Sequence, residues 1–197
     1  MASVFRPVRP NRSTLDRFLA RAETRPLSYA EVGMTRGPAP EGYRTRVSSR
    51  PLVADAFERA AEALFAWRGF DIPWVVLYPD RPVIREGLTV IVAARTLGIW
   101  TLNPARIVAR WEDDGDVGFA YGTVQGHAAR GEERFRVARR PNGEVRYEIT
   151  AFSRLDDLLV RAAGPVSRWV QGRFAAASLA AMQTASTGEG SGSVKAT

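Results

Sequence analysis

The residues best suited to acid–base chemistry lie in one stretch, residues 118–135, which reads GFAYGTVQGHAARGEERF. It contains the only histidine of the chain, His127, and two adjacent carboxylates, Glu132 and Glu133. A histidine and a carboxylate can share the proton transfers of general acid–base catalysis if the loop between them folds back. These three residues are therefore the candidate catalytic groups. In the simpler alternative, the glutamates only form ion pairs with neighbouring arginines.

Glycines recur at every fourth position of this stretch, at Gly118, Gly122 and Gly126. If the stretch is a strand, successive side chains alternate between two faces, and the glycine face is nearly bare. The opposite face then carries Phe119, Tyr121, Thr123, Gln125 and His127. Glycine inside a strand often marks the close approach of another group. We expect that group to be the N-terminal segment, the C-terminal helix or a ligand.

Several kinds of site are excluded by composition. The chain has no cysteine, which excludes disulfides, thiolate nucleophiles and cysteine-ligated metals. One histidine and scattered carboxylates do not predict a metal site. The sequence also lacks the glycine-rich phosphate-binding motifs and the nucleophile elbow. We therefore expect neither a metal nor another cofactor.

The positive charge is concentrated near the N-terminus. The net charge of the chain is +7, and residues 1–50 hold ten arginines against four acidic residues. Such a segment could bind nucleic acid, an anionic membrane or another protein. However, no aromatic residues alternate with these arginines as stacking platforms would. This favours arginines that cover the core and keep the protein soluble, and makes a nucleic-acid partner a secondary hypothesis.

The chain is predicted to form one domain between two loose ends. Residues 1–12 have no apolar stripe and are expected to be a flexible basic arm. Residues 184–197 are rich in Gly, Ser and Thr and are expected to be a disordered tail. The domain then spans residues 13–183. Without a signal-peptide core or an apolar run of about 20 residues, the protein is expected to be cytoplasmic, with no membrane span.

The period of the apolar residues changes along the chain from helical to alternating and back to helical. This order predicts an α+β fold, in which a curved antiparallel sheet of about six to seven strands wraps a long C-terminal helix, a helix-grip. A hairpin turn is predicted at Asn142-Gly143, where glycine supplies a positive φ. Helices are predicted over 13–22, 51–67 (beginning at Pro51) and 155–183, a strand that begins at residue 27 and ends at Gly33, and the run of strands over 71–154.

Several blocks of the sequence resemble, in order, those of a bacterial and plant family, the domain-of-unknown-function family nineteen-ninety. The blocks are YAEVGMT, PEGYR, FERAAEALFAW, GFAYGTVQGHAARGEERF, FSR and GPVSRWVQ. The family pattern commonly has Leu-Pro where this chain has Val124-Gln125, and Pro where it has Ala128. The resemblance covers about residues 15–180 and implies a Bet v 1/START-like helix-grip fold. It implies no particular reaction.

A helix-grip commonly leaves an apolar cavity between the sheet and the last helix. The first functional hypothesis is therefore a binding protein for a small, mainly apolar ligand, and the second is an enzyme of cyclase or hydratase type that uses His127 as acid and base. In the third, residues 1–50 bind nucleic acid or protein. The candidate ligand-binding residues are Phe57, Trp74, Phe119, Tyr121, Thr123, Gln125, Tyr147, Leu159 and Trp169.

Overall fold

The computed structural model describes residues 5–38, 40–127, 129–154 and 164–187. The described helices are α1 (Arg12–Glu23), α2 (Phe57–Phe65) and α3 (Gly164–Ser186), with short 3-10 turns at Met34–Arg36 and Arg68–Phe70. The described strands are β1 (Phe5–Arg6), β2 (Arg44–Pro51), β3 (Val75–Tyr78), β4 (Thr89–Thr96), β5 (Ile99–Asp113), β6 (Asp116–Thr123), β7 (Arg130–Arg139) and β8 (Val145–Arg154).

All eight strands of the described ranges belong to one antiparallel sheet. The order across the sheet is β2-β8-β7-β6-β5-β4-β3, and β1 pairs with the start of β5. Every neighbouring pair from β3 to β8 is a hairpin neighbour in sequence, while β2 closes the far edge against β8. The predicted α+β helix-grip architecture is confirmed, including the hairpin turn, where Gly143 has a φ of 83°.

The sheet is covered on both faces. Its inner face, defined here as the one against α2 and α3, carries the larger core, which includes Trp67, Phe119 and Phe135. Its outer face packs against α1. Helix α1 begins with Asn11, whose side chain accepts a hydrogen bond of 2.9 Å from the Thr14 N–H. This N-cap satisfies one of the free donors of the first turn.

The predicted strand over 27–33 is wrong. Only Leu27 makes a β-bridge, to Val124, and the chain then turns into the 3-10 turn at Met34–Arg36. Gly33 precedes that turn with a φ of 86°, a left-handed conformation that does not continue a strand. The alternating pattern of this segment therefore reflects a folded loop, not a strand.

The predicted helix over 51–67 is also wrong at its start. Pro51 is the last residue of β2, which the sequence analysis missed, and α2 begins only at Phe57. Proline is tolerated there because β2 is an edge strand, paired only with β8. Between them, Asp55 has a φ of 59°, which separates the strand from the helix.

The two chain ends are more closely joined to the fold than predicted. Within the arm over residues 1–12, Phe5 and Arg6 pair with Thr101 and Trp100 of β5. At the other end, α3 continues to Ser186, beyond the predicted start of the tail. None of the helices within the described ranges is both long and apolar enough to cross a membrane.

Candidate functional site

The inner face of the sheet changes character along β6, β7, β8 and β2. Residues directly opposite each other on paired strands point to the same face, so these strands present their side chains in rows. Three rows follow one another along the strands. The first consists of Phe119, Phe135, Ile149 and Ser48, and the second of Tyr121, Glu133, Ala151 and Arg46. The third consists of Gly131, Ser153 and Arg44. We call the second of these the polar row.

The first row belongs to a filled core. The rings of Phe119 and Phe135 stack with their centroids 5.0 Å apart, and Trp67 lies 5.0 Å from Phe119. Phe70 fills the space next to them, 5.3 Å from Phe135 and 5.4 Å from Phe174 of α3. Aromatic rings therefore occupy the interior beside this row.

In the polar row and the row after it, the positions of β7 and β8 next to Glu133 carry small residues. Ala151, Gly131 and Ser153 have small side chains or none. Ala151, Ser153 and Glu133 all keep partial solvent exposure, although their strand neighbours Phe152 and Phe135 are buried. Because β7 is paired on both sides, the exposed part of Glu133 is its side chain. The inner face is therefore accessible at this end.

Glu133 is the most unusual ionisable group of the inner face. Its carboxylate accepts a hydrogen bond of 2.6 Å from the Tyr121 hydroxyl. Burial raises the pKa of Glu133 to about 7, against a lowering by the Tyr121 hydrogen bond. Burial and the neighbouring Glu133 charge also raise the pKa of Tyr121, which therefore stays protonated as the donor. Near neutral pH, Glu133 can act both as a proton donor and as a proton acceptor.

Two further polar groups lie near this pair on the inner face. Arg46 ends the polar row on β2, and its guanidinium lies against α3, where a Cβ at Gly172 would come within 2.7 Å of Nη1. The Tyr147 hydroxyl shares a hydrogen bond of 3.0 Å with Ser178 of α3. Burial raises the pKa of Tyr147, and the Glu133 charge raises it further. Tyr147 is thus close enough to Glu133 for the Glu133 charge to affect it, whereas Arg46 lies two strands away at the end of the row.

Glu132 lies on the opposite face and has a structural role. Its carboxylate accepts hydrogen bonds from the Tyr29 hydroxyl (2.9 Å), the Gly33 N–H (2.8 Å), the Thr35 N–H (3.1 Å) and the Thr35 hydroxyl. It is 3% exposed. These bonds fix the loop after α1 against the outer face, where arginine partners were expected.

His127 is not joined to either glutamate by a hydrogen bond between described residues. Its Nδ1 accepts a bond of 2.9 Å from the Ala129 N–H, within the turn between β6 and β7. Burial lowers the pKa of His127 to about 4, although the backbone contact with Ala129 acts in the opposite direction. The ring is therefore neutral at pH 7, and the structure brings Glu133 together with Tyr121 instead.

The other predicted ligand-binding residues occupy different environments. Phe57, Phe119 and Tyr147 are buried in the inner core, whereas Trp169 is 52% exposed on α3 and Leu159 lies outside the described residues. Trp74 is half-buried at the edge of the sheet.

The remaining two residues, Thr123 and Gln125, take part in hydrogen bonds that involve main-chain groups. Thr123 exchanges hydrogen bonds with the Gly131 backbone, and the Gln125 carbonyl accepts one from Arg25. Of the whole set, only Tyr121 is part of the polar row.

The glycine face of β6 is covered at Gly122 by the N-terminal segment, one of the expected neighbours, and at Gly118 by Trp111 of the adjacent strand β5. A Cβ at Gly122 would overlap the ring and hydroxyl of Tyr29, and one at Gly118 would overlap the Trp111 ring. Tyr29, Ala151 and Arg46 were missed as site-forming residues. Alternation in β8 would have placed Ala151 beside Glu133, but no sequence signal places Tyr29 over a glycine.

The geometry does not suggest a metal centre. Within the described residues, no three His, Cys, Asp or Glu side chains are grouped in a way that could hold a metal ion. The polar row contains a single carboxylate, whereas a metal site commonly uses three or four protein ligands.

Comparison with solved structures finds the same fold in proteins of low sequence identity. The hypothetical protein jhp0584 from Helicobacter pylori superposes with a TM-score of 0.56 at 10% identity, covering 82% of this chain and 96% of that one. The protein TTHA0849 from Thermus thermophilus gives a TM-score of 0.55 at 16% identity, over 75% of this chain and 100% of that one. The di-domain ARO/CYC protein StfQ, from the steffimycin biosynthetic pathway, gives 0.50 at 11% identity, over 74% and 51%.

Sequence comparison finds closer relatives. A UPF0548 protein of Deinococcus radiodurans is 34% identical over 82% of this chain and 85% of its own length. A UPF0548 protein of Dictyostelium discoideum is 35% identical, and the alignment spans 61% of each chain. The family model for the domain of unknown function DUF1990 matches residues 28–181, which include α2, β2–β8 and most of α3. The chain therefore belongs to the DUF1990 family.

Proposed function

We propose that the protein binds a small, mainly apolar molecule at the accessible end of the inner face, with its polar atoms at the polar row. The observation that carries this proposal is the Glu133 carboxyl, which accepts a hydrogen bond from the Tyr121 hydroxyl and belongs to a partly exposed residue next to small side chains. A carboxyl group in an apolar interior is costly unless it has partners. A ligand atom that hydrogen-bonds to Glu133 would supply one.

The chemistry of the row limits the class of ligand. Glu133 has a pKa of about 7, so its carboxyl group can donate to a carbonyl or accept from a hydroxyl. Arg46 adds a cationic donor on the far side of Ala151, two strand spacings away, which is about 10 Å. The neighbouring phenylalanines offer only apolar surface. A ring system or acyl chain with a hydroxyl or carbonyl group fits this combination.

The fold is compatible with this proposal. Helix-grip folds place a long helix across a curved sheet, and pockets lined by apolar side chains with a few polar groups are typical small-molecule sites. The similarity to StfQ is one of fold only and does not transfer its activity. The inference to this chain therefore rests on Glu133 and its surroundings.

Native mass spectrometry of the purified protein tests the proposal. We expect an added mass of a small molecule that is released on unfolding. Ala151→Phe should abolish this added mass, because the larger ring occupies the space beside Glu133. Val47→Phe, on the exposed outer side of the adjacent strand, is the matched control and should keep it. Equal loading of both variants and wild type would contradict a site at the polar row.

Catalysis on the same scaffold is the second candidate, favoured by the pKa of Glu133. A group that titrates near neutral pH suits general acid–base catalysis, and Tyr121 can orient it. His127 is less suited, because its pKa of about 4 leaves it a weak base at pH 7.

Conversion of the released molecule separates catalysis from binding. After recovery from the protein, it would be incubated with wild type and with Glu133→Gln, and the products followed by mass spectrometry. An enzyme should form a product, about 100-fold or more slowly in the variant. A binding protein should form none, while Glu133→Gln would change only the affinity.

A further inference from the structure

A pocket that shares no residue with the polar row lies at the edge of the sheet near the N-terminus. Its volume is about 530 Å³, within the usual range for small-molecule sites. We call it the tryptophan–arginine pocket. The residues that line it are Pro7, Val8, Arg9, Pro73, Trp74, Arg95 and Trp100.

The two tryptophans are held by the fold. The Trp74 carbonyl accepts a hydrogen bond of 2.8 Å from the Arg95 N–H, which ties the residue to β4. The Trp74 ring is stacked by Arg173 of α3, whose Cζ lies 4.2 Å from the ring centroid. Trp100 is only 7% exposed and is anchored in the outer core. Both tryptophans are therefore held in place, so that contact with a ligand would cost little of their conformational entropy.

The two arginines bring positive charge to the same place. Arg95 is directly opposite Trp100 in the β4–β5 ladder, so their side chains share the outer face. The Arg9 guanidinium lies over the Trp100 ring, with Cζ 6.0 Å from the centroid. Neither arginine forms an ion pair with another described residue, and the lining contains no Asp or Glu. The pocket is therefore both cationic and aromatic.

We propose that the tryptophan–arginine pocket binds a planar aromatic anion, with its ring against the tryptophans and its carboxylate, sulfonate or phosphate at Arg95 and Arg9. Guanidinium groups recognise such oxyanions through charge-assisted hydrogen bonds. An Asp or Glu in the lining would compensate the positive charge of the two arginines, but the lining contains neither residue type. Arg9 is one of the arginines of the basic N-terminal segment, and anion binding would give it a specific role.

A matched pair of probes tests this assignment. 1-Naphthoate carries a ring and a carboxylate, and 1-naphthalenemethanol carries the same ring with a neutral hydroxyl. By calorimetry, naphthoate should bind at least about tenfold more tightly, the effect of one charge-assisted hydrogen bond. In ¹⁵N-edited NMR spectra, the indole signals of Trp74 and Trp100 should shift most. Equal affinity of the two probes in titrations that follow these two indole signals, or unshifted signals of both tryptophans, would overturn the proposal.

Substitutions of the two arginines test where the anionic group of the probe binds. Arg95→Gln and Arg9→Gln should each weaken naphthoate binding about tenfold and leave the neutral probe unaffected. Arg85→Gln, at an exposed position outside the lining, is the matched control and should behave as wild type. If Glu133→Gln changes the affinity while both pocket variants do not, the probe binds at the polar row and the pocket assignment is wrong.

Discussion

At the scale of residues, two adjacent glutamates have separate roles because a strand turns them to opposite faces. Glu132 holds a loop on the outer face, and Glu133 faces the inner core beside Tyr121. The sequence identified Glu133 as a candidate and, through alternation, the face of Tyr121. It could not assign their partners, because the Tyr29–Glu132 contact joins residues that lie 103 positions apart. Such long-range pairing is set by tertiary packing and leaves no local pattern.

The histidine offers a direct test at this scale. Because burial lowers its pKa to about 4, the imidazole should remain neutral from pH 8 down to about pH 5. His127 is the only histidine, so its ring signals can be assigned in an NMR titration without variants. A midpoint near 6.5, the ordinary value, would show that the ring is solvated and would restore it as a candidate base.

Glu133 should make stability depend on pH in a defined direction. Its pKa rises from 4.5 in the unfolded chain to about 7, so the folded state holds the proton more tightly between these values. Stability should therefore fall as pH rises through this window, by about 1–3 kcal/mol, and level off above it. Glu133→Gln should remove this fall in urea unfolding experiments.

The control for that experiment is Glu58→Gln, since the Glu58 side chain is 79% exposed. It should keep the wild-type profile. Parallel profiles for wild type and Glu133→Gln would mean that Glu133 is already solvated in the folded protein, and would remove the main support for the polar row.

At the scale of elements, regular periodicity was predictable and loop packing was not. The alternating run after residue 71 and the last helix follow from the order of apolar residues, as does the bare glycine face of β6. By contrast, the segment around Tyr29 alternates like a strand but folds as a loop, because Glu132 satisfies the donors at Gly33 and Thr35. The sequence of β2 was equally misleading, because it is an exposed edge strand with three arginines and little apolar pattern.

The contact between Gly122 and Tyr29 can be tested by a double-mutant cycle. Gly122→Ala should destabilise the fold by about 1–3 kcal/mol, because the added methyl group overlaps the Tyr29 side chain. In a Tyr29→Ala background the same change should cost much less, since the overlapping ring is gone. Gly37→Ala is the control, because a Cβ there meets nothing within 4 Å and its φ is −130°. Equal costs in both backgrounds would contradict the packing of this loop on β6.

At the scale of the whole molecule, the fold is a sheet with a core on each face. The inner core is the one expected of a helix-grip, whereas the outer core depends on α1 and the N-terminal segment. This arrangement explains part of the basic charge without a nucleic-acid partner. Arg36 stacks on Trp111, Arg50 bonds to Gln183 of α3, and Arg25 bonds to the Gln125 carbonyl. These arginines join the segment to the sheet and to α3.

The outer core should therefore contribute to global stability. Phe18 is 6% exposed and packs in the cluster that contains Ile91, Leu102 and Val124. Phe18→Ala should cost about 3–5 kcal/mol in urea unfolding, because it removes a buried ring and leaves a cavity. Arg17→Ala, at an exposed position of the same helix, should cost less than about 0.5 kcal/mol. If Phe18→Ala were equally mild, α1 would be an accessory to a fold that the inner core stabilises alone. A large loss with a single cooperative transition would instead show that both faces of the sheet unfold as one unit.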